Sequence, residues 1–276
     1  MSTSAQQQII SALNVAPVID PATEVQRRVE FLCQYLRQAG ASGLVLGISG
    51  GVDSTVAGRL AQLAVEKLQQ DGIEARFTAV RLPYRVQADE SDATAAVEFI
   101  RPTRAVTFQI GPATDKFGET FRQATGEQIS DFNFGNVKAR MRMVAQYALA
   151  GINGDLVVGT DHAAEAVTGF YTKFGDGAFD IGPLQGLNKR QVRSIARYLG
   201  APEHLWAKVP TADLLDDQPQ RTDEDELGLT YDQIDDFLEG KIVPEDIAER
   251  IISAYRASAH KRALPAGPVA SSATLG

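Results

Sequence analysis

The chain has 276 residues, 44% of them hydrophobic, and carries 35 acidic against 27 basic side chains for a formal net charge of −8. That length buries a sizeable core and suits one domain. The acidic balance argues against a general nucleic-acid or anionic-membrane surface and leaves room only for a local basic pocket.

Residues 1–20 are polar and proline-punctuated, and read as an extension preceding a domain over 21–264, with a flexible tail over 265–276. The opening Met1-Ser-Thr-Ser-Ala-Gln-Gln-Gln has no basic stretch and no apolar core, and no run is long enough to span a membrane, so the expected location is cytoplasmic with no membrane partner. A helix is expected from Thr23, as N-cap, to Gly40, with Val25, Val29, Phe31, Leu32 and Leu36 on its apolar positions. The one cysteine, Cys33, falls on that face and reads as a small core residue rather than a nucleophile. Leu44, Val45, Leu46 and Ile48 read as a buried parallel strand. It runs into Ser49-Gly50-Gly51 and then into a helix starting near Asp53 and Ser54 and ending before Gly72. Strands are expected over 75–80, 105–110 and 155–160, with helices over 91–100 and 136–150. Residues 211–229 are acidic and turn-prone and read as a mobile loop, followed by helices near 230–239 and 244–258 and by His260-Lys-Arg262.

Alternating strands and helices predict an α/β fold: a doubly wound, mostly parallel sheet with helices on both faces in a single domain. In such sheets ligands bind at the carboxyl ends of strands, where the unusual loops 47–55, 81–87 and 160–180 all fall.

The strand, glycine turn and helix N-terminus of residues 44–55 aim several N–H groups at one spot and favour an anion. No lysine follows the glycines as in a Walker A loop, and no G-x-G-x-x-G is present. An acid, Asp53, stands among the phosphate donors instead, which makes sense if a metal ion accompanies the phosphate. The segment from Gly159 to Gly177 adds Asp161, His162, Glu165, Lys173 and Asp176, and Asp161 and Glu165 are spaced to share one helix face. Magnesium is commonly held by one or two carboxylates together with substrate phosphates, so Asp53 and Glu165 form the candidate metal pair. Glu165 alone would read as a solvated helix charge, and His162 as a hydrogen-bonded structural residue; with three histidines scattered along the chain, a zinc site is not expected.

The S-G-G-x-D-S pattern resembles the pyrophosphate loop of the ATP pyrophosphatases. GISGGVDST at 47–55, RLP at 81–83, DFNFGNVKARMRMVAQY at 131–147, GTDHAAEAVTGFYTKFGDGA at 159–178, PTADLL at 210–215 and HKR at 260–262 together resemble ammonia-dependent NAD synthetase, in that family's order over residues 20–265. The resemblance implies an adenine nucleotide α-hydrolase-like fold and a homodimer that binds no nucleic acid. It implies ATP-dependent amidation of deamido-NAD by ammonia through an acyl-adenylate, with magnesium as cofactor and ATP as co-substrate.

Carried over position by position, the resemblance implies ATP contacts at Gly47, Ile48, Ser49, Gly50, Gly51, Val52, Asp53, Ser54, Arg81, Gln87, Thr160, Lys189 and Thr211, and magnesium on Asp53 and Glu165. It implies deamido-NAD contacts at Arg140, Phe170, Lys173, Asp180, His260 and Lys261, and a place for Asp176 in steering ammonium or taking its proton. Asp53, Lys189 and Asp176 are the candidate catalytic residues. Lys189 sits in the first turn of a helix capped by Asn188, where a cation opposes the helix dipole; that misfit favours a functional role. Asp176 between two glycines also fits an ordinary turn, and Phe170 an ordinary core aromatic. Two departures stand out. Tyr84-Arg85-Val86-Gln87 lies where the family often has glycine after the first residue, and Phe134 where it often has lysine.

Glutamine-dependent relatives carry an amidase domain before the synthetase. With 43 residues before the first strand and the only cysteine in a helix, no internal glutaminase is expected. GMP synthetase would also need an amidotransferase. A tRNA-thiolating enzyme would need reactive cysteines and a basic surface. A non-catalytic nucleotide sensor has no use for the combination of Asp53, Glu165 and Lys189.

Overall fold

The apolar run after residue 42 forms the middle of a sheet. In a computed structural model describing residues 4–85, 90–210 and 221–268, β1 (Gly43–Gly47), β2 (Arg76–Arg81), β3 (Arg104–Thr107) and β4 (Leu156–Val157) form one parallel sheet in the order β3-β2-β1-β4. The chain steps outward from β1 through β2 to β3 and then returns to the other side of β1, so strand order reverses between β1 and β4. A crevice opens at the carboxyl ends of the strands at such a point.

The helices are α1 (Ser4–Ala12), α2 (Pro21–Ala39), α3 (Val52–Gln70), α4 (Glu90–Ile100), α5 (Gly111–Thr125), α6 (Asp131–Asn153), α7 (Ala163–Thr168), α8 (Lys189–Tyr198), α9 (Glu203–Trp206), α10 (Asp223–Leu227), α11 (Tyr231–Leu238), α12 (Glu245–Ala257) and α13 (Ala259–Arg262). Side chains alternate across a strand, and the two sheet faces divide accordingly. Leu44, Leu46, Phe77 and Ala79 join a core with α2, α3 and α8, whereas Val45, Val80 and Val157 pack with Ala145 and Ala150 of α6. Burying a residue such as Leu44 or Phe77 completely contributes about 1.5–3 kcal/mol. A third cluster joins α1, α7, α11 and α12 around Ile9, Val167, Ile234, Phe237 and Ile251.

Several expectations need correction. The first long helix is capped by Asp20, not Thr23: the Asp20 carboxylate accepts from the Thr23 N–H at 2.8 Å, with Pro21 opening the helix, where a missing N–H costs nothing. Within the extension 1–20, α1 packs through the buried Gln6 and Ile9, and Gln6 Nε2 donates to the Phe237 carbonyl at 2.8 Å. Helix α6 begins at Asp131, five residues earlier than expected, with Ser130 accepting the Asn133 N–H. Helix α5 was not anticipated, and the strand expected over 155–160 pairs with β1 only at Leu156 and Val157, with a single further bridge from Val158 to Ile181. Within the acidic stretch 211–229, residues 211–220 lie outside the described residues. Its second part contains α10, capped by Thr222, whose acids suit a helix N-terminus. Cys33 is buried, as its position on the apolar face suggests.

Candidate active site

The loop after β1 holds itself in shape, with the Ser49 N–H donating to Ser54 Oγ and the Gly51 N–H to Ser49 Oγ, both at 3.3 Å, and leads into the uncapped first turn of α3. Gly50 has φ +87°, and a Cβ there would lie 2.6 Å from the Ala93 nitrogen, so no side chain fits. Gly51 caps α3 without a side-chain hydrogen bond, so among the described residues no side chain covers the helix N-terminus there. Ser49 Oγ and Ser54 Oγ lie 3.2 Å apart, and Ser54 Oγ donates to the Gly51 carbonyl at 3.2 Å. The Gly47 N–H is engaged, donating to Gln146 Oε1 at 2.7 Å. Two hydroxyls and the amides of the first turn thus face a cavity of about 570 Å³ lined by residues 47–49, 51–54, Thr160, Glu165, Phe170, Asp176, Lys189 and Lys261.

Charge is concentrated on one wall of this cavity. The almost wholly buried Lys189 Nζ donates to Asp53 Oδ2 at 2.7 Å and lies 3.3 Å from His162 Nε2. His162 Nε2 is 3.5 Å from Asp53 Oδ1 and 3.6 Å from Glu165 Oε1. Burial works against the Lys189 ammonium, yet the Asp53 and Glu165 carboxylates outweigh it and hold its pKa above the usual value. Burial alone would raise Asp53, but the adjacent ammonium keeps it ionised and its pKa low. Glu165 is pushed well above the ordinary carboxylate range by burial and then by the Asp53 charge. His162 is driven down to about 3 by burial and by Lys189, so it stays neutral.

One ligand atom each from Asp53, His162 and Glu165 lie within 4.8 Å of one another, and Asp53 Oδ1 is buried without a hydrogen bond. Two hard carboxylate oxygens beside a phosphate cradle fit a magnesium ion. His162 fits less well: its Nδ1 accepts the Glu165 N–H at 3.4 Å as the cap of α7, and its Nε2 already lies 3.3 Å from the Lys189 ammonium. Asp53 and Glu165 therefore remain the hard pair for the ion, with the neutral His162 ring packed beside them.

The position of Lys189 at a helix N-terminus has a local explanation. Asp235, on α11, accepts the backbone N–H groups of Lys189 at 3.0 Å and Arg190 at 2.7 Å, while Asn188 and Gln191 complete a capping box. Asp235 therefore offsets the helix dipole that Lys189 opposes.

The remaining sequence-derived positions divide by place. Arg140, Lys173 and His260 form an outer rim: Arg140 donates to the Lys173 carbonyl at 3.2 Å, and Lys173 Nζ to the His260 carbonyl at 2.6 Å. Lys261 Nζ reaches inward to the carbonyls of Gly169 and Tyr171 at 2.8 and 2.7 Å. Asp180 is held by its own chain, accepting the Val157 N–H at 2.7 Å and the Tyr147 hydroxyl at 3.3 Å. Arg81, at the carboxyl end of β2, pairs with Glu90 at 2.9 Å and does not line the cavity. Gln87 and Thr211 lie outside the described residues. Asp161 and Glu165 do not share a helix face, because α7 begins after His162 and leaves Asp161 in the preceding extended segment. Tyr231, which donates to Asp223 Oδ2 at 2.9 Å and lies under Lys189 Nζ, 4.7 Å from ring centre to nitrogen, was not foreseen. Only its place beside the apolar positions of α11 would have marked it in sequence.

The two departures from the family pattern meet in space. Arg85 has φ +58°, the left-handed conformation that glycine adopts freely, which explains the family's glycine there. Phe134 packs edge-on to Tyr84 with ring centres 6.2 Å apart, and the buried Lys138 Nζ lies 4.4 Å from the Tyr84 ring centre.

Residues 24–265 match the sequence model of a family described as NAD synthase. An ammonia-dependent NAD synthetase of Bacillus cereus is 59% identical over 261 residues, covering 95% of this chain and 96% of the relative. An NAD synthetase structure from Burkholderia pseudomallei superposes with a TM-score of 0.83 at 49% identity, covering 96% of this chain and 99% of that one. An NMN synthetase structure from Francisella tularensis gives 0.78 at 38% identity, covering 91% and 99%.

Proposed function

The chain belongs to the NAD synthase family, and from that premise we propose how its site works. It catalyses the ATP-dependent amidation of deamido-NAD by ammonia to NAD, forming a carbon–nitrogen bond and releasing AMP and pyrophosphate. A free carboxylate is a poor electrophile. Transfer of AMP to it creates an acyl-adenylate with a good leaving group, and ammonia then attacks the carbonyl carbon.

The observation that carries this reading is the buried Lys189–Asp53 pair at the open N-terminus of α3. Ser49, Ser54 and the loop amides receive the phosphates, and Lys189 stands ready for the charge that grows on departing pyrophosphate. Preorganised donors of this kind do not have to reorganise as the reaction proceeds. Asp53 and Glu165 would hold magnesium, which when bound neutralises phosphate charge. His162 caps α7, the helix that carries Glu165, and packs its ring beside both carboxylates. The rim of Arg140, Lys173 and His260, with Lys261 behind it, takes the dinucleotide. Phe170 lines the cavity where the pyridine ring would stack. Asp176, facing the same cavity, receives a proton from ammonium.

Dimerisation is supported by Phe117, Phe132, Val144 and Ile152, which are exposed on α5 and α6, the latter also carrying Arg140. The catalytic unit spans 21–264, with 265–276 as a tail. No described helix is long and apolar enough to cross a membrane, and the cytoplasm supplies both ATP and ammonium.

The test combines the purified protein with ATP, magnesium, deamido-NAD and ammonium, and follows NAD and pyrophosphate. Stoichiometric release of both is expected; folded protein that forms no NAD would remove the reading. Nicotinic acid mononucleotide assayed in parallel separates this activity from that of an NMN synthetase, and deamido-NAD is expected to be the better substrate.

A further inference from the structure

A second cavity, of about 1010 Å³, lies behind the reaction centre, and the synthetase reading leaves it without a task. Its mouth is formed by Arg27, Phe31 and Gln34 of α2, and its walls include Asp161, Tyr171 and Lys261. Tyr171 and Lys261 also line the main cavity, so these two side chains form the partition between the two spaces. Asp176 faces the front of that partition and Asp161 the back.

Asp161 Oδ1 is buried and has no hydrogen-bond partner among the described residues. A buried acceptor in that state calls for a donor that is not part of the chain. Lys261, on the same wall, turns its ammonium to the Gly169 and Tyr171 carbonyls and makes no hydrogen bond to Asp161. The groups acting on Asp161 are Asp176, Arg262 and Asp53, two acids against one base. A small cation with several N–H donors completes such a place, and a large or anionic ligand does not.

Resting on the synthetase reading above, we propose that Asp161 is an ammonium-binding carboxylate, reached through the second cavity, that works as a pair with Asp176. ATP and the dinucleotide fill the front of the site, so a route from behind lets ammonium arrive after both are bound. The reaction requires two proton acceptors. Ammonium gives one proton to a carboxylate oxygen and becomes ammonia. Its lone pair forms the C–N bond to the acyl-adenylate while the C–O bond to AMP breaks and AMP leaves with that electron pair. The nitrogen, still carrying one proton too many for an amide, gives it to the second carboxylate. Burial, and then the Asp176 charge, push the Asp161 carboxyl up to about 7, which suits it to accept a proton near neutrality, and burial raises Asp176 in the same direction.

The experiment measures ammonium saturation with ATP and deamido-NAD held saturating. Asp161→Asn keeps the shape but loses the charge, and is expected to raise the ammonium KM about tenfold, the size of one charge-assisted contact, with the KM for ATP within about twofold of the parent. An unchanged ammonium curve in folded Asp161→Asn overturns the proposal. So does a parallel rise in both KM values, which would mark a structural role. Should that variant not fold, Gln34→Trp at the exposed mouth decides: a raised ammonium KM supports the route, and an unchanged one overturns it. If the parent protein itself makes no NAD from ammonium, the synthetase reading fails first, and the two failures are thereby distinct.

Discussion

The two ends of the reaction cavity are made differently. At the phosphate end, Lys189 and His162 are buried, Asp53 and Glu165 nearly so, and the Lys189–Asp53 ion pair is in place before any substrate arrives. At the dinucleotide end, Arg140 and His260 are exposed, and Arg140 and Lys173 donate to backbone carbonyls rather than to carboxylates among the described residues. Buried charges are costly to assemble and strong once assembled, whereas exposed ones are screened and adaptable. The chemistry is thus built into the fold, and recognition is left to close around the ligand.

The most severe way to break this contrast is Asp53→Asn. With the loop amides and Lys189 still present, pyrophosphate release should fall by about 10²–10³-fold, the scale of losing one preorganised electrostatic group. Circular dichroism checks that the fold is kept; near-parental activity would remove Asp53 from the centre. At the rim, Lys173→Ala should raise the KM for deamido-NAD by about tenfold with kcat little changed, because a charge that binds ground and transition states equally affects KM alone. A matching fall in kcat would show that the rim takes part in the chemistry.

A subtler test uses pH. The folded pKa of Asp161 is about 7 and that of Asp235 about 6, both lifted from 3.8 chiefly by burial. The folded protein therefore binds more protons than the unfolded chain between pH 4 and 7, and its stability falls as pH rises through that window. Urea midpoints measured without metal should be lower at pH 7 than at pH 5, and Asp161→Asn should flatten the dependence. A rising midpoint would contradict the burial of these acids. The smallest effect is expected from Arg85→Gly. Relief of the left-handed strain, about 1 kcal/mol, is offset by the greater freedom of glycine in the unfolded chain and by loss of an exposed pair with Asp115. Melting should shift by no more than a few degrees, and a large drop would mean that Arg85 anchors the loop.

The phosphate end was the more legible in sequence. Its loop is contiguous, and each residue from Gly47 to Ser54 has a local reason to be there. Lys189 announced itself by contradicting its own helix. What sequence could not supply were partners brought in from far away, such as Asp235, 46 residues beyond Lys189, and the unpaired state of Asp161, which exists only once the chain has closed around it. Helix α1 was missed because Ser4–Ala12 offers few apolar positions, and α5 because Gly118 and an exposed face blur its pattern. Asp20 and Thr23 are both good caps, and the proline between them was the signal that distinguished them.

The clamp of Asp235 on the first two amides of α8 has a consequence for how the enzyme is made. The nucleotide loop leaves the ribosome early, its lysine 136 residues later, and the carboxylate that settles that lysine later still. Loop, cation and clamp are thus translated in that order, and the Lys189–Asp53 centre is complete only when α11 has been made.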